Sequence, residues 1–336
     1  MQTLLRLGAN GRGGLNRRSM GRFRRCLLLL LGVFVTASGC ASPIAIQRVD
    51  PHQDNLSLSS CDRAWTDARL LTRRAADPFF TSAAGARIIL PLAAAQTWQD
   101  VTVRCPTRFD EAVNRSALAW MTAHTRAQQT PASPLSATVE DPGTLTTQAV
   151  QSLPAAARLL NPVQVSDAAK AEDESGFSLI LLAGRRPGGD QALLSVGDRH
   201  HEAAQTLASA DPTADPRQAV YSVQKLLKHP QTMTDPANGL EAPTESVVEV
   251  NCARSLTQVF RSAVSTVQDA DGFGTASQGR DDRSEGPTPA CHEHESTLRT
   301  LSLLATAHTY TALSQGYPAF PQALLSFVQE STAPNE

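Results

Sequence analysis

The chain is poor in lysine and lacks several short motifs that carry chemistry in other proteins. Only three of its 30 basic residues are lysines, and lysine and arginine form no stripe of the kind that binds a phosphate backbone. There is no G-x-S-x-G nucleophile elbow, no glycine-rich phosphate-binding loop and no C-x-x-C pair. These absences argue against α/β-hydrolase, nucleotide-binding, thioredoxin-like and zinc-knuckle chemistry, and against a nucleic-acid partner.

Long apolar runs are also missing. The longest, residues 26–35, has about ten residues, too few to cross roughly 30 Å of hydrocarbon as a permanent helix. It follows seven arginines and no acidic residue, and it precedes small residues. This order predicts a secretory signal peptide over residues 1–39, with a transmembrane anchor as the alternative. Met20 directly precedes a basic segment, so translation starts at either Met1 or Met20.

Residues 37–40 (ASGC) resemble the lipobox of bacterial lipoproteins, in which the cysteine receives a diacylglycerol and becomes the new N-terminus. Leucine is usual three residues before that cysteine, where this chain has Ala37. The resemblance implies lipidation of Cys40 with acyl chains such as palmitate. Because two acyl chains suffice for stable anchoring, the expected location is the extracytoplasmic face of the cell membrane. Removing the seven leader arginines leaves 23 basic against 32 acidic residues, a formal charge of −9.

Four cysteines remain in the predicted mature chain, and an even number in an exported protein favours disulfides. Four cysteines allow three connectivities. The pairing that keeps each bridge on one side of a polar linker is Cys61 with Cys105 and Cys252 with Cys291. Four unpaired thiols are the alternative.

Helical spacing of apolar residues predicts an all-α fold. A spacer over 40–55 precedes an N-terminal helical region over 56–128, in which we expect three helices. Proline, serine and threonine predict a linker over 129–160. A helical bundle is expected over 161–322, interrupted by a disordered loop at 269–289, and a tail over 323–336 completes the chain.

Four long helical patterns lie in the predicted bundle, and short connections between them favour an antiparallel arrangement. They cover residues 166–186, 191–210, 244–267 and 292–315. A shorter helical piece is expected over 217–229. On the second pattern the residues expected to face inward are Leu193, Val196, Ala203, Ala204 and Leu207.

Four segments carry a resemblance to a ferritin-like domain of unknown function found in bacterial lipoproteins. They are residues 175–177 (SGF), 195–201 (SVGDRHH), 216–221 (PRQAVY) and 316–321 (GYPAFP). The resemblance covers residues 166–322, about half of the chain. It implies an antiparallel four-helix bundle and no assigned activity.

Ferritin-like di-iron proteins use a glutamate from each of two helices and Glu-x-x-His from each of the other two. The residues in corresponding places, and hence the candidate ligands for Fe, Mn or Zn, are Glu172, Asp198, His201, Glu249 and His308. The fourth helix departs from the pattern, because Ala305 stands three residues before its histidine. The alternative is that His200 or His201 is a hydrogen-bonded core histidine, with His308 as its counterpart.

The sequence therefore predicts a lipid-anchored cell-envelope protein with a non-enzymatic binding or structural role and an envelope protein as its partner. This prediction depends on the leader, the acidic helical surface and the incomplete catalytic sets. The alternative hypothesis is a metal-binding or metal-dependent redox protein that uses the bundle core.

Overall fold

The structure is a computed structural model that describes residues 58–270 and 289–324. Within these residues the chain forms ten α-helices and a two-stranded antiparallel sheet, so the predicted all-α class is confirmed. The helices are α1 (Ser60–Ala76), α2 (Ala84–Arg104), α3 (Phe109–Gln129), α4 (Pro142–Ala156), α5 (Pro162–Arg185), α6 (Gln191–Ala208), α7 (Gln224–Lys228), α8 (Thr244–Ala270), α9 (Pro289–Ser314) and α10 (Pro321–Leu324). The strands are β1 (Thr232–Thr234) and β2 (Glu241–Pro243), with Met233 opposite Ala242.

Several predictions concern residues outside the described part of the chain. They are the signal peptide at 1–39, lipidation of Cys40, the spacer at 40–55, residues 271–288 of the predicted loop and residues 325–336 of the tail. Among the helices in the described ranges, none combines the length and the hydrophobicity that a membrane span needs.

Helices α4, α5 and α6 begin at side chains that cap their free backbone N–H groups, whereas α2 and α3 begin without such a cap. Asn161 accepts a hydrogen bond from the backbone of Gln164, whose side chain in turn accepts from the backbone of Asn161, and Pro162 occupies the first helical position of α5. Asp141 starts α4 and Asp190 starts α6 in a similar way. These caps fix where each helix starts, and therefore which residues reach the core.

The three helices predicted over 56–128 are present as α1, α2 and α3. The predicted disulfide between Cys61 and Cys105 is confirmed, and it joins the first turn of α1 to the end of α2. Trp98 is fully buried between these elements and donates its indole N–H to Thr72. The bridge and the buried indole together fix α1 against α2.

The linker predicted over 129–160 is wrong for much of its length. The helix α4 occupies 15 of these residues, packs against α6 and α9, and buries Leu145, Val150 and Leu153. The threonines and prolines of α4 interrupt the apolar pattern, so the sequence does not reveal that this segment has an apolar face. Helices α2 and α3 also pack against α9, so residues 58–128 share their core with the later helices and do not form a separate domain.

The four helices predicted for the bundle are α5, α6, α8 and α9, each within a few residues of its expected bounds. Helix α5 packs against α6 and α8, and α8 runs antiparallel to α9, because residues early in α8 meet residues late in α9. Between α6 and α8, the helix predicted over 217–229 is reduced to the five residues of α7, followed by the β1–β2 hairpin. Pro216 and Pro230 flank this segment, and only Tyr221 and Leu226 within it are buried, which leaves too few apolar contacts for a long helix.

The second predicted disulfide is not formed, because Cys252 is a free, buried thiol. It lies about five turns before the end of α8. Cys291 belongs to the first turn of α9, at the end of the antiparallel pair that is remote from Cys252. The predicted bridge between Cys252 and Cys291 is therefore wrong. Two thiols can form a disulfide only where their positions along the two helices bring them close together, and the division of the chain at a linker does not reveal this.

Candidate functional site

Four ionisable side chains meet at one point in the protein interior, one from each of four helices. Glu172 comes from α5, His200 from α6, Glu249 from α8 and His308 from α9. None is more than 1% exposed. We call this group the Glu–His ring.

In the Glu–His ring each carboxylate contacts both imidazoles, and each imidazole contacts both carboxylates. His200 Nδ1 lies 2.6 Å from Glu172 Oε2, and its Nε2 lies 3.2 Å from Glu249 Oε1. His308 Nε2 lies 3.0 Å from Glu172 Oε1, and its Nδ1 lies 3.1 Å from Glu249 Oε2. The imidazole planes are stacked, with centroids 4.3 Å apart and an interplanar angle of 16°. All four ring nitrogens and all four carboxylate oxygens are thus paired within the ring.

Charge within the ring shifts the pKa of every member. Burial disfavours ionisation of Glu172, but the charges of His308 and His200 outweigh it and lower the pKa of Glu172 to about 2. Burial also opposes ionisation of Glu249, yet His200 and then His308 lower its pKa to about 2. For the histidines burial acts against the charged form, but Glu172 and Glu249 raise the pKa of His308 to about 10 and also raise that of His200. Without a metal the ring is two imidazolium–carboxylate pairs with no net charge.

Small residues surround the Glu–His ring along each helix. Buried alanines occupy positions one turn away from ring members, where side chains lie on the same helix face. They are Ala168, Ala169, Ala203, Ala204, Ala253, Ala305 and Ala312. Their methyl groups let the four helices approach closely and exclude water from the ring.

The Cys252 thiol lies beside the ring. It is one turn along α8 from Glu249, its Sγ is 3.9 Å from His200 Nδ1, and it donates a hydrogen bond to the carbonyl of Ala171 at 3.6 Å. Burial and the charge of Glu172 raise the pKa of this thiol. The protein therefore keeps a protonated sulfur next to the carboxylate of α5.

The structure brings together three of the five candidate ligands named from the sequence, namely Glu172, Glu249 and His308. Asp198 is exposed on α6, and His201 lies at the surface with its Nε2 3.9 Å from Asp173 Oδ1. These two are therefore corrected: α6 turns the next histidine, His200, inward instead.

The phase of α6 contained the signal that identifies His200. Position 200 is in register with Val196, Ala203, Ala204 and Leu207, all expected to face inward, whereas Asp198 and His201 are not. The spacing of Asp198 and His201, which approximates Glu-x-x-His, instead indicates these two residues. The even number of cysteines predicts a disulfide at Cys252 and gives no sign of its place beside the ring.

No protein-family model, curated protein or solved structure matches this chain. The chemistry of the site therefore has to be inferred from its own atoms. Imidazole nitrogens and carboxylate oxygens are ligands for divalent transition metals, and here four helices converge to supply them.

Two kinds of chemistry fit this arrangement. With both histidines protonated, the ring is a closed set of hydrogen-bonded ion pairs. With each histidine neutral, one nitrogen of each ring can face a metal while the other donates its N–H to the opposite carboxylate. Three of the four nitrogen–oxygen distances in the ring are 3.0–3.2 Å. Neighbouring ligand atoms of a metal with bonds of about 2.1 Å lie at a similar separation, about 3 Å.

Proposed function

We propose that this protein binds one divalent transition metal ion at the Glu–His ring, inside a ferritin-like helical bundle held at the cell envelope. The observation that carries the proposal is the convergence of two buried imidazoles and two buried carboxylates from four different helices. A bound metal supplies a positive charge and a coordination centre, and the residues of the ring supply its position and geometry.

The distribution of residue types over the helices supports a ferritin-like origin for the site. Ferritin-like metal proteins place a lone glutamate on two helices and Glu-x-x-His on the other two. Here α5 and α8 carry the glutamates, α6 and α9 carry the histidines, and the positions three residues before the histidines are Gly197 and Ala305. With those two carboxylates missing, the set suits a single metal ion and not a bridged pair.

The packing around Gly197 leaves no room for a carboxylate side chain at this position of α6. A Cβ atom on Gly197 would lie 2.6 Å from Ile180 Cγ1 and 3.1 Å from the carbonyl oxygen of Gly176. Helices α5 and α6 therefore cross so closely that any side chain at this position forces a displacement. This close packing supports a site for one metal ion and not for two.

Charge balance favours a divalent ion. A metal at one carboxylate would replace the two imidazole protons that face it, so two positive charges leave as one doubly charged ion enters. The opposite carboxylate keeps both of its N–H donors, and it orients the imidazoles as a hydrogen-bonded carboxylate does in many metal sites. Two nitrogens and one carboxylate oxygen suit Fe²⁺ or Zn²⁺ better than Mn²⁺, which prefers oxygen ligands.

Stability alone gives a weak reason for the ring. Desolvating each ion costs several kcal/mol, and replacing buried ion pairs with apolar residues of similar volume is often neutral or stabilising. Clusters of strongly shifted pKa values are characteristic of functional sites. We therefore assign the ring a binding role.

The location we propose is the extracytoplasmic face of the membrane, with Cys40 as the lipidated residue and an envelope protein as partner. Two features support it. The leader has the charge and length of a secretory signal, and the Cys61–Cys105 disulfide is of a kind that persists in oxidising compartments.

The test compares adjacent histidines on α6. The full chain, expressed with its own leader and extracted in detergent, is loaded with Fe²⁺ or Zn²⁺, desalted and analysed for metal per chain. We expect close to one ion for the wild type and for His201→Ala, and none for His200→Ala, because only the inner imidazole faces the ring. A second pair of histidines, His292 and His294, lies in the sequence HEHE near the start of α9 and could hold a metal ion loosely. Metal that survives His200→Ala but is lost on changing His292 and His294 together would assign binding to the start of α9 and refute the proposal.

A further inference from the structure

The two carboxylate edges of the Glu–His ring are not equivalent. Glu172 and Glu249 each face one nitrogen of each imidazole, at 2.6 and 3.0 Å for Glu172 and at 3.2 and 3.1 Å for Glu249. Cys252, however, lies close to the nitrogen of His200 that faces Glu172. One donor atom each from Glu172, His200, Cys252 and His308 lies within 4.8 Å of the other three.

Resting on the metal-binding function proposed above, we infer that the metal sits at the Glu172 edge and that Cys252 is its fourth ligand. The ligand set is then one carboxylate, Nδ1 of His200, Nε2 of His308 and one thiolate. Glu249 contacts no metal in this arrangement, and it acts as a positioning residue by accepting the remaining N–H group of each imidazole.

The separations suit a four-coordinate centre after small shifts: the sulfur moves closer to the imidazole of His200, and the carboxylate of Glu172 moves away from the two nitrogens that it contacts at 2.6 and 3.0 Å. Metal–nitrogen bonds of about 2.0–2.1 Å and a metal–sulfur bond of about 2.3 Å place neighbouring tetrahedral ligands roughly 3.4–3.6 Å apart. The Sγ to Nδ1 distance of 3.9 Å is already close to this range. The thiol can turn inward by giving up its hydrogen bond to the carbonyl of Ala171, which is weak at 3.6 Å.

The ligand set determines how many protons are released when the metal binds. Binding releases one proton from each of the two imidazoles and one from the thiol, because a coordinating thiol is deprotonated. No electron is transferred. With a divalent ion, the two carboxylates and the thiolate leave the buried group with one net negative charge, and with a trivalent ion the group is neutral.

A thiolate ligand limits which metal ions the site can prefer and which functions it can have. Thiolate and imidazole together favour Zn²⁺, Co²⁺ or Fe²⁺ over Mn²⁺, Mg²⁺ or Ca²⁺. Four protein ligands close the coordination sphere, whereas catalytic metal sites keep a position for water or substrate. Cys252 is only 3% exposed, so the sulfur faces the ring and not an incoming partner. The site therefore holds a metal and does not turn over a substrate.

Cobalt tests this assignment directly, because a sulfur ligand gives Co²⁺ an intense near-ultraviolet charge-transfer band that nitrogen and oxygen ligands do not. The full chain in detergent, with its Cys61–Cys105 disulfide intact, is titrated with CoCl₂, and bound cobalt is measured separately as ions per chain. We expect one bound Co²⁺, the visible bands of a four-coordinate ion and the charge-transfer band. Cys252→Ser should lose the charge-transfer band, and Cys291→Ser, the matched cysteine control, should keep it.

The outcomes separate the two proposals. One bound Co²⁺ without the charge-transfer band in the wild type overturns ligation by Cys252 and leaves the metal site intact. No bound Co²⁺ overturns the metal site and the ligand assignment together. If Cys252→Ser loses its helical circular dichroism, Cys252→Ala replaces it, and a charge-transfer band that persists in a folded Cys252 variant overturns the assignment.

Discussion

Two buried polar clusters flank α9, and they differ in charge. On one side Gln99 of α2 donates to Ser116 and Thr306 and accepts from Ser302, at 2.6–3.1 Å. About 200° around the helix from Thr306, His308 enters the Glu–His ring. The first cluster contains only amide and hydroxyl groups, and the second consists entirely of ionisable groups.

The comparison shows what each cluster is needed for. The Gln99 cluster joins α2, α3 and α9 and fixes their mutual register with neutral hydrogen bonds, whose desolvation cost is modest. The Glu–His ring joins α5, α6, α8 and α9 at a much higher desolvation cost. Since neutral groups suffice to join helices in this protein, the charges of the ring call for a functional explanation.

The largest effect should come from breaking the ring. In His308→Leu, Glu172 and Glu249 keep only His200 between them, which leaves one buried negative charge uncompensated. We expect the metal-free protein to lose about 3–5 kcal/mol of unfolding free energy in urea denaturation. His201→Leu, on the surface of α6, should change it by less than about 0.5 kcal/mol. A loss for His308→Leu no larger than that of the control would show that the ring is not ionic.

A somewhat smaller effect should follow from pH in the metal-free protein. The pKa values of Glu172 and Glu249 are lowered to about 2, so their stabilisation is complete above the usual value of 4.5 and is lost as pH falls toward 2. The pKa of His308 is raised to about 10, so its stabilisation is complete below 6.5 and is lost as pH rises toward 10. Urea denaturation should show maximum stability between pH 4.5 and 6.5. A profile that stays flat from pH 3 to pH 9 would contradict this ionisation state.

Changing the carboxylate that positions the imidazoles should weaken metal binding without abolishing it. Glu249→Gln keeps the shape of the side chain but can accept only one of the two imidazole N–H groups. We expect metal affinity to fall by about 10–100-fold, measured by competition with a chelating dye. Glu172→Gln should remove stoichiometric binding. Equal effects of the two variants would mean that the two edges of the ring are equivalent.

The smallest effect should come from the neutral cluster. In Gln99→Leu, Ser116 still donates to the carbonyl of Ala95 and Ser302 to that of Arg299, so few polar groups lose every partner. We expect a loss of about 1 kcal/mol, with a pH profile parallel to that of the wild type. Gln96→Leu on the exposed face of α2 is the matched control. A loss as large as that of His308→Leu would remove the contrast between the two clusters.

Periodicity alone located the main helices, because apolar residues recur at helical spacing from Leu193 to Leu207 and from Leu298 to Ala312. It failed for α4, whose buried face combines Leu145 and Leu153 with Thr146 and Ala149. Threonine and proline lower helix propensity, and only packing against α6 and α9 compensates. Tertiary context of that kind cannot be read from a single segment.

The site was predictable in part for the same reason. Glu172, Glu249 and His308 lie in phase with apolar neighbours, so sequence reasoning placed them in the core. His200 was equally in phase, but a short spacing motif drew attention to Asp198 and His201. The place of Cys252 depends on the positions of α5 and α8 in three dimensions, which spacing along the chain does not reveal.

One chain contains both an oxidised cysteine pair, Cys61–Cys105, and a free thiol, Cys252. Cys61 is partly accessible on α1, where an oxidant or a disulfide-exchange partner can reach it and join it to Cys105. Cys252 is enclosed by the helices around it, so reagents that form the first bond reach the second sulfur only when the protein opens. The fold therefore places the two kinds of sulfur in different surroundings: the packed interior encloses the Cys252 thiol, and the Cys61–Cys105 bridge begins on a partly accessible helix.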